Sequence, residues 1–163
     1  MRNAYLVTAK TTEIDAQLCF ALYATSRAVT QAYGPLLAPL GVTYPQYLVL
    51  LVLWQDNHLS VGEIGARLFL DSGTLTPLLK RLEAQGLVAR RRDAKDAREV
   101  RVSLTPAGRR LHTRAPGIAR DIACALDVTA AEGSALRGSL RKILHHHHSN
   151  PSLTAPRARK KTS

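Results

Sequence analysis

Cysteines are scarce in this sequence, and the two that it contains lie far apart. Cys19 and Cys124 stand near opposite ends of a chain of 163 residues. Their separation matches neither the spacing of a zinc site nor a disulfide framework. In a reducing compartment both are expected to be thiols, so a lasting bond between them would be a redox event. We expect no metal and no other cofactor.

Long hydrophobic runs and an export signal are also absent. The most apolar run, residues 47–54, is far too short to cross a bilayer. The first residues lack the arrangement of charged and apolar regions that marks a signal peptide. The length suffices for one domain with a buried core, and we expect a cytoplasmic protein.

Acidic residues are outnumbered by basic ones. The sequence has 12 Asp and Glu against 23 Lys and Arg, which gives a formal net charge of +11 and an isoelectric point near 10.4. Only four of the basic residues lie beyond residue 144, so the excess is not confined to the C-terminal tail. This balance indicates a polyanionic partner and favours nucleic acid over a membrane surface.

Residues 71–86 have the pattern of a helix that inserts into DNA. Four leucines recur at the spacing of one buried helix face: Leu75, Leu78, Leu79 and Leu82. The opposite face is small and polar at its start and cationic further along, as a helix in a major groove requires. We predict base-edge contacts from Ser72, Thr74, Thr76 and Pro77, and backbone contacts from Lys80 and Arg81. Pro77 is expected in the early turns, where the lost hydrogen bond costs less.

The flanking residues predict a winged helix-turn-helix. Thr43 with Gln46 and Ser60 with Glu63 are capping boxes that open two earlier helices. Residues 87–92 and 98–104 then alternate as two strands. A hairpin directly after a recognition helix is a wing. Its arginines predict a phosphate or minor-groove contact, and they are Arg90, Arg91, Arg92, Arg98 and Arg101.

The predicted fold is mainly α with a small β wing, in a single domain over residues 12–144. The winged core covers about 44–105. Residues 12–33 are predicted to form a helix that Gly34-Pro35 stops. Thr105-Pro106 opens a helix to about residue 126, and a capping box at Thr129 opens another to about residue 144. These outer helices lack a partner in the winged core, so we expect a homodimer.

The two ends of the chain carry little pattern. Residues 1–11 are interpreted as a flexible arm. Residues 145–163 are polar, basic and contain proline, which predicts a disordered tail. The four histidines at 145–148 are interpreted as part of that solvated tail and not as a metal site.

The central motifs resemble those of a known family. The run from Leu59 to Gly108, with EIGARL, TPLLKRLEAQGLV and DAREVRVSLT, resembles the MarR family of winged-helix transcription regulators. The stretch QLCFALYATSRAVTQAY, with TYPQYLVLLVLW and LFLDSGTLTPLLKRLE, is similar more narrowly to the organic hydroperoxide resistance regulators (OhrR) of two-cysteine type. The resemblance covers residues 12–144. It implies a dimeric repressor, not an enzyme, that leaves a pseudo-palindromic operator when an organic hydroperoxide oxidises a thiol.

The resemblance also implies roles for individual residues. Cys19 matches the sensing thiol, and Cys124 matches the resolving cysteine that traps the sulfenic acid as a disulfide. Tyr33 and Tyr44 match two tyrosines that hydrogen-bond the thiolate, and Tyr23 matches a further tyrosine of the first helix. The resemblance favours a disulfide between chains, whereas the residues alone leave open whether it forms within or between them.

In the wing, the resemblance concerns an Asp-x-Arg pair. Arg98 matches an arginine that enters the minor groove, and Asp96 matches the aspartate that steadies it. With Arg92, these residues complete the predicted DNA contacts outside the recognition helix.

Spacing adds a constraint on the thiol site. Tyr23 is one helical turn from Cys19 and can reach it within the same chain. Tyr33 lies 14 residues from Cys19, which is roughly 21 Å along a helix axis. If Tyr33 serves the site, it must therefore come from an antiparallel second copy.

Three other functions remain open. A regulator of the same family that binds an aromatic or lipophilic ligand would keep its induction after Cys19→Ser. A thiol peroxidase would turn over hydroperoxide repeatedly with a reductant, although the sequence has no peroxidase motif. A protein that coats DNA by charge alone would not distinguish a palindromic site from a random duplex.

Overall fold

The computed structural model describes residues 13–93, 96 and 98–149, with only the backbone of His148. The predicted N-terminal arm, residues 94, 95 and 97 near the wing tip, and residues 150–163 of the predicted tail lie outside the described residues. The chain divides after Ala125 into two compact units.

The first unit combines helices with a small antiparallel sheet. Its helices are α1 (Leu18–Leu37), α2 (Tyr44–Gln55), α3 (Val61–Leu68), α4 (Ser72–Ala84), α5 (Pro106–Leu111) and α6 (Ala115–Ala125). Its strands are β1 (Leu59–Ser60), β2 (Val88–Arg92) and β3 (Val100–Leu104), in the order β1-β3-β2. Short 3₁₀ turns lie at Ile14–Ala16, Ala38–Leu40 and His112–Arg114.

Helix α2 lies at the centre of the core. The predicted capping interaction is present at its start, where the Thr43 amide donates to Gln46 Oε1 at 2.8 Å. Val49 and Leu50 are completely buried, as expected for a helix that is apolar on nearly all sides. Three leucines of α4 also have no exposed surface, and they are Leu75, Leu79 and Leu82. The predicted buried stripe of α4 is thus confirmed, although Leu78 stays partly exposed.

The predicted hairpin is also present, and a further strand extends it. In the β2–β3 ladder Val88 faces Leu104 and Arg92 faces Val100. The sequence did not indicate β1, a two-residue strand in which Leu59 pairs with Val102. A Cβ atom at Gly108 would lie 2.1 Å from the carbonyl oxygen of Leu87. Only glycine fits there, so Gly108 allows α5 to pack directly on the base of the hairpin.

The expectation that Gly34-Pro35 stops the first helix is wrong. Helix α1 continues to Leu37, and a 3₁₀ turn extends it to Leu40. Pro35 has no N–H to donate to the carbonyl four residues earlier, so it costs the helix one hydrogen bond but does not end it. The chain turns instead at Gly41, which adopts a left-handed φ of 67°.

The predicted single helix after Thr105 is divided in two. The Thr105 side chain accepts from the Gly108 amide and caps α5 as expected. A 3₁₀ turn at His112–Arg114 then separates α5 from α6. Pro116, in the first turn of α6, has no N–H to donate to the carbonyl four residues earlier, and this accounts for the interruption.

The second unit contains helix α7 (Ala130–His148). Its predicted capping box is present, since the Thr129 amide donates to Glu132 Oε2 at 3.0 Å. The helix continues through the histidines, so the prediction of a disordered tail is wrong for residues 145–148.

Two further findings concern the described residues as a set. Among them, no group of His, Cys, Asp and Glu side chains is placed to hold a metal ion. No single helix within this part of the chain has the length and apolar character to cross a membrane, although the bent pair Leu18–Leu40 and Tyr44–Gln55 meets those two criteria together.

Candidate DNA-binding surface and thiol site

The outward face of α4 is exposed along its whole length. Ser72, Pro77, Lys80 and Arg81 are all exposed, with the two cations one to two turns after the small residues. Among the described residues, neither Lys80 nor Arg81 has an ion-pair partner. The face therefore offers free positive charge beside short side chains, the order that a groove-reading helix needs.

Two threonines on this face use their hydroxyl protons within the helix. Thr74 Oγ1 donates to Asp71 Oδ2 at 3.1 Å, and its amide donates to Asp71 Oδ1 at 2.8 Å. Thr76 Oγ1 donates to the Ser72 carbonyl at 2.6 Å. In this arrangement both hydroxyls present lone pairs outward, so they are set to accept hydrogen bonds from base amino groups. The Thr74 amide hydrogen bond lowers the pKa of Asp71, which keeps this N-cap ionised.

The wing arginines fall into two groups. Arg90 pairs with Glu83, with 3.5 Å between Nε and Oε2, and Arg101 pairs with Asp93, Glu99 and Glu63. Carboxylates of the same chain thus engage two of the five wing arginines that are predicted to contact DNA. The other three wing arginines have no ion pair within the described residues. They are Arg91, Arg92 and Arg98, and all three are exposed.

Asp96 shapes the turn that presents Arg98. Its Oδ1 atom accepts from the Arg98 backbone amide at 2.9 Å, and its carbonyl accepts from the Glu99 amide at 2.9 Å. These two hydrogen bonds fix the backbone on both sides of Arg98. The Arg98 side chain itself remains exposed.

Both cysteines are free thiols on the surface of the first unit. Cys19 is the second residue of α1 and Cys124 is the last residue but one of α6, two helices that pack on each other. Tyr23, one turn after Cys19, accepts a hydrogen bond from Arg27 Nη1 at 3.2 Å. A phenol that accepts in this way still has its own proton to donate.

The structure brings Tyr33 and Tyr44 together. Their ring centroids are 4.4 Å apart, and the ring of Tyr47 lies 6.0 Å from that of Tyr33. Burial raises the pKa of all three phenols above 10.0, so they stay protonated and can donate hydrogen bonds. Because α1 is one continuous helix, Cys19 is about 21 Å along the axis from Tyr33 of the same chain.

Tyr47 belongs to this cluster, although the sequence was not interpreted to include it. Tyr47 follows Tyr44 by three residues on α2, a spacing that places both on one face and could have revealed the third ring. The Tyr47 ring also contacts Trp54 at 5.8 Å, and Trp54 lies 5.2 Å from His112. Trp54 Nε1 donates to the Gly108 carbonyl at 3.0 Å. The rings thus extend from the tyrosine pair to α5 at the base of the wing.

A groove of about 470 Å³ lies between the end of α1 and helix α6. Apolar and polar groups line it in nearly equal measure, and the polar side chains are Thr113, Arg114 and Asp121. The apolar lining residues are Pro35, Leu36, Pro39, Leu40 and Ile118.

Comparison with known proteins places this arrangement among transcription regulators. The MarR family model matches residues 42–100. The chain is 53% identical over 106 residues to the organic hydroperoxide resistance transcriptional regulator of Bacillus subtilis. This alignment covers 65% of this chain and 72% of that protein. The chain is also 50% identical over 148 residues to the HTH-type transcriptional regulator TtmR of Methylorubrum extorquens. That alignment covers 89% of this chain and 76% of the relative.

Solved structures of AbfR, a protein of Staphylococcus epidermidis, share the fold. Reduced AbfR bound to DNA superposes with a TM-score of 0.69 at 38% identity, covering 82% of this chain and 92% of that one. Disulfide-formed AbfR gives a TM-score of 0.58 at 37% identity, with coverages of 80% and 92%. The chain has an exposed recognition helix and a wing, and it matches these relatives and the family model. It therefore belongs to the MarR family of transcriptional regulators.

Proposed function

We propose that this protein is a dimeric repressor that binds a pseudo-palindromic operator and releases it when an organic hydroperoxide oxidises Cys19. The observation that supports this most directly is the Tyr33–Tyr44 pair, which is assembled at 4.4 Å and protonated but stands far from Cys19 of its own chain. Two phenolic donors placed against a sulfur stabilise its thiolate, the form that attacks peroxides.

A second copy of the chain completes this site. In an antiparallel pair of α1 helices, the tyrosines of one copy lie beside the cysteine of the other. The cysteine end of α1 has apolar surface that such a partner would cover, because Leu18 is 55% exposed and Tyr23 is 58% exposed. In the second unit, α7 likewise exposes Leu136, Ile143 and Leu144. Exposed apolar surface of this extent is typical of an association face.

The redox step has two stages. The Cys19 thiolate attacks the peroxide O–O bond, becomes a sulfenic acid and releases the corresponding alcohol. The Cys124 thiol then attacks the sulfenic sulfur, so a disulfide forms and water leaves. A disulfide requires Cα atoms within about 7 Å, so closing this bond moves the helices unless the two cysteines already meet. We propose that the bond joins two chains, as the resemblance to two-cysteine regulators favours.

Operator release follows from the geometry of a two-fold dimer. Two recognition helices must stay about 34–36 Å apart to enter successive major grooves. A movement of the helices that join the subunits changes that separation and lowers operator affinity. The DNA contacts proposed for each subunit are those of α4 and the wing, namely Ser72, Thr74, Thr76, Pro77, Lys80, Arg81, Arg92 and Arg98, with Asp96 shaping the wing turn.

The decisive experiment is a gel shift with the protein's own upstream DNA, first reduced and then treated with cumene hydroperoxide. Wild type, Cys19→Ser and Cys124→Ser are compared, and each sample is also run on a non-reducing denaturing gel. We expect the peroxide to release wild type but not Cys19→Ser, and a crosslinked dimer to form only when Cys124 is present. Release of Cys19→Ser as readily as wild type would refute the redox mechanism.

A second candidate is a regulator of the same family that responds to a small aromatic or lipophilic ligand. The groove of about 470 Å³ between α1 and α6 favours it, since that volume lies in the usual range for ligand sites. This candidate predicts ligand-induced release that Cys19→Ser leaves intact. Ile118→Trp, which fills the groove, would abolish it.

A further inference from the structure

Arg101 is the centre of a cluster of carboxylates between the wing and the helix-turn-helix. Its Nε atom donates to Asp93 Oδ2 at 2.8 Å, and its Nη2 atom donates to Glu99 Oε2 at 2.9 Å. Its Nη1 atom donates to Glu63 Oε2 at 3.3 Å and to the His58 carbonyl at 3.4 Å. All three nitrogens of one guanidinium are thus engaged within the chain.

The partners of Arg101 belong to different elements. Asp93 directly follows β2 and Glu99 directly precedes β3, so these two mark the base of the wing tip. The Asp93 amide also donates to the Glu99 carbonyl at 2.9 Å, which closes the ladder at this level. Glu63 lies in the first turn of α3 and accepts from the Ser60 amide at 2.7 Å. Arg101 therefore links both sides of the wing to the first helix of the helix-turn-helix.

The charges make this link depend on Arg101. One cation stands among three carboxylates, so its removal would leave acidic groups that repel one another at the base of the wing. The planar guanidinium has donors in three directions, whereas a lysine ammonium is a single point charge on a flexible stem. Lysine could neutralise part of the cluster but could not span it.

We infer that Arg101 is a positioning residue for DNA binding, which holds the wing against α3 so that Arg98 is presented to the minor groove. This role rests on the proposed DNA contact of the wing and extends it. It differs from direct phosphate contact, the role that the arginine-rich sequence of the wing first indicated. The two roles give opposite results when Arg101 is replaced in a protein that already lacks Arg98.

The test measures operator affinity of the reduced protein at several salt concentrations. The variants are Arg101→Met, Arg101→Lys, Arg98→Ala and the double variant Arg98→Ala/Arg101→Met. Arg137→Met in α7 is the matched control, because Arg137 is exposed, has no ion pair among the described residues and lies outside the wing. Thermal unfolding is measured for each variant to check that the fold is retained.

If Arg101 positions the wing, Arg101→Met loses affinity by about tenfold and changes the slope of log K against log salt as Arg98→Ala does, while Arg101→Lys restores little. The same substitution then has almost no further effect in the Arg98→Ala background, because the two residues act through one contact. A further fall of the slope by about one when Arg101 is replaced in the Arg98→Ala background, with recovery in Arg101→Lys, shows a phosphate contact instead and overturns the inference. Full operator affinity of Arg98→Ala overturns it too.

Glu99→Met is an independent test that leaves Arg101 itself unchanged. Removing a negative charge near DNA strengthens binding if electrostatics alone decides. Removing a partner of Arg101 weakens binding if the geometry of the wing decides, and this is the result we expect. Tighter binding by Glu99→Met would contradict the inference. If wild type itself fails to bind its operator, the proposed function fails as well, whereas the outcomes above affect the role of Arg101 alone.

Discussion

Helices α4 and α1 have similar sequence patterns but very different surroundings. Each has an apolar stripe and a polar face at helical spacing. In α4 the stripe has no exposed surface at Leu75, Leu79 and Leu82, whereas in α1 only Leu37 is fully buried and Leu18 is 55% exposed. The chain's own core covers one stripe and leaves most of the other uncovered. A pattern of apolar residues therefore indicates that a face will be buried, but not whether the same chain buries it.

The largest effect is expected from a substitution in the covered stripe. Leu79→Ala removes a side chain with no exposed surface and leaves a cavity among α2, α4 and the sheet. We expect a loss of about 3 kcal/mol in the free energy of unfolding. Denaturant titration measures it, and the loss should be the same at every protein concentration. A loss below about 1 kcal/mol would mean that the stripe is not the closed core described above.

A smaller effect, of a different kind, is expected in the uncovered stripe. Leu18→Ser should weaken dimerisation by about 1.5 kcal/mol, or roughly tenfold in the dissociation constant, because a partner would cover this side chain. Analytical ultracentrifugation over a range of concentrations measures it. Leu79→Ala provides the contrast. If Leu18→Ser leaves the dissociation constant unchanged, the cysteine end of α1 does not lie in the interface.

The outward faces of the two helices differ as well, since α4 exposes the cations Lys80 and Arg81 whereas α1 exposes Cys19. Lys80→Ala should reduce the slope of log K against log salt by about one and weaken all duplexes alike. Lys142→Ala in α7 is the control for the loss of one lysine charge. A changed preference among operator sequences in Lys80→Ala would show that Lys80 reads bases and not phosphates.

The smallest effect concerns the N-termini of the helices. The Asp71 carboxylate caps α4 and its pKa lies below the ordinary value of 3.8, mainly because the Thr74 amide donates to it. The capping contribution is therefore present above that ordinary pKa and is lost as the pH falls through the lower pKa of the folded chain. Asp71→Asn keeps an acceptor but does not titrate, so its unfolding free energy should fall less between about pH 5 and pH 2.

The control for this measurement is the N-cap of α1. Gln17 has no ionisable group, so Gln17→Asn should leave the acid dependence of stability as it is in wild type. An unchanged acid dependence in Asp71→Asn would show that other carboxylates dominate acid unfolding.

Features that depend on neighbouring residues could be predicted from the sequence. The caps at Thr43, Ser60 and Thr129 need only a residue and its third successor, and all three helices begin there. The hairpin and the buried stripe of α4 follow from periods of two and about 3.6 residues. These rules place most of the winged core.

Features that depend on distant residues could not be predicted. The partner of Arg101 in α3 lies 38 positions earlier, so this ion pair has no local signal in the sequence. The same holds for β1, which is a strand only because β3 is beside it. Pro35 was interpreted as the end of the helix because it lacks a backbone N–H. The helix continues past it, and the chain turns only at Gly41. The proposed site of Cys19 includes a second chain, and no pattern within one chain describes such surroundings.

The row of rings from Tyr33 to Trp54 also makes this protein an optical reporter of its own state. Trp54 is the single tryptophan, so all indole fluorescence comes from one position. The Tyr47 ring is 5.8 Å from it, and excitation absorbed by the clustered phenols passes to the indole at such short range. A change in the packing of the tyrosine pair will therefore alter the colour and yield of the emitted light, without any attached dye.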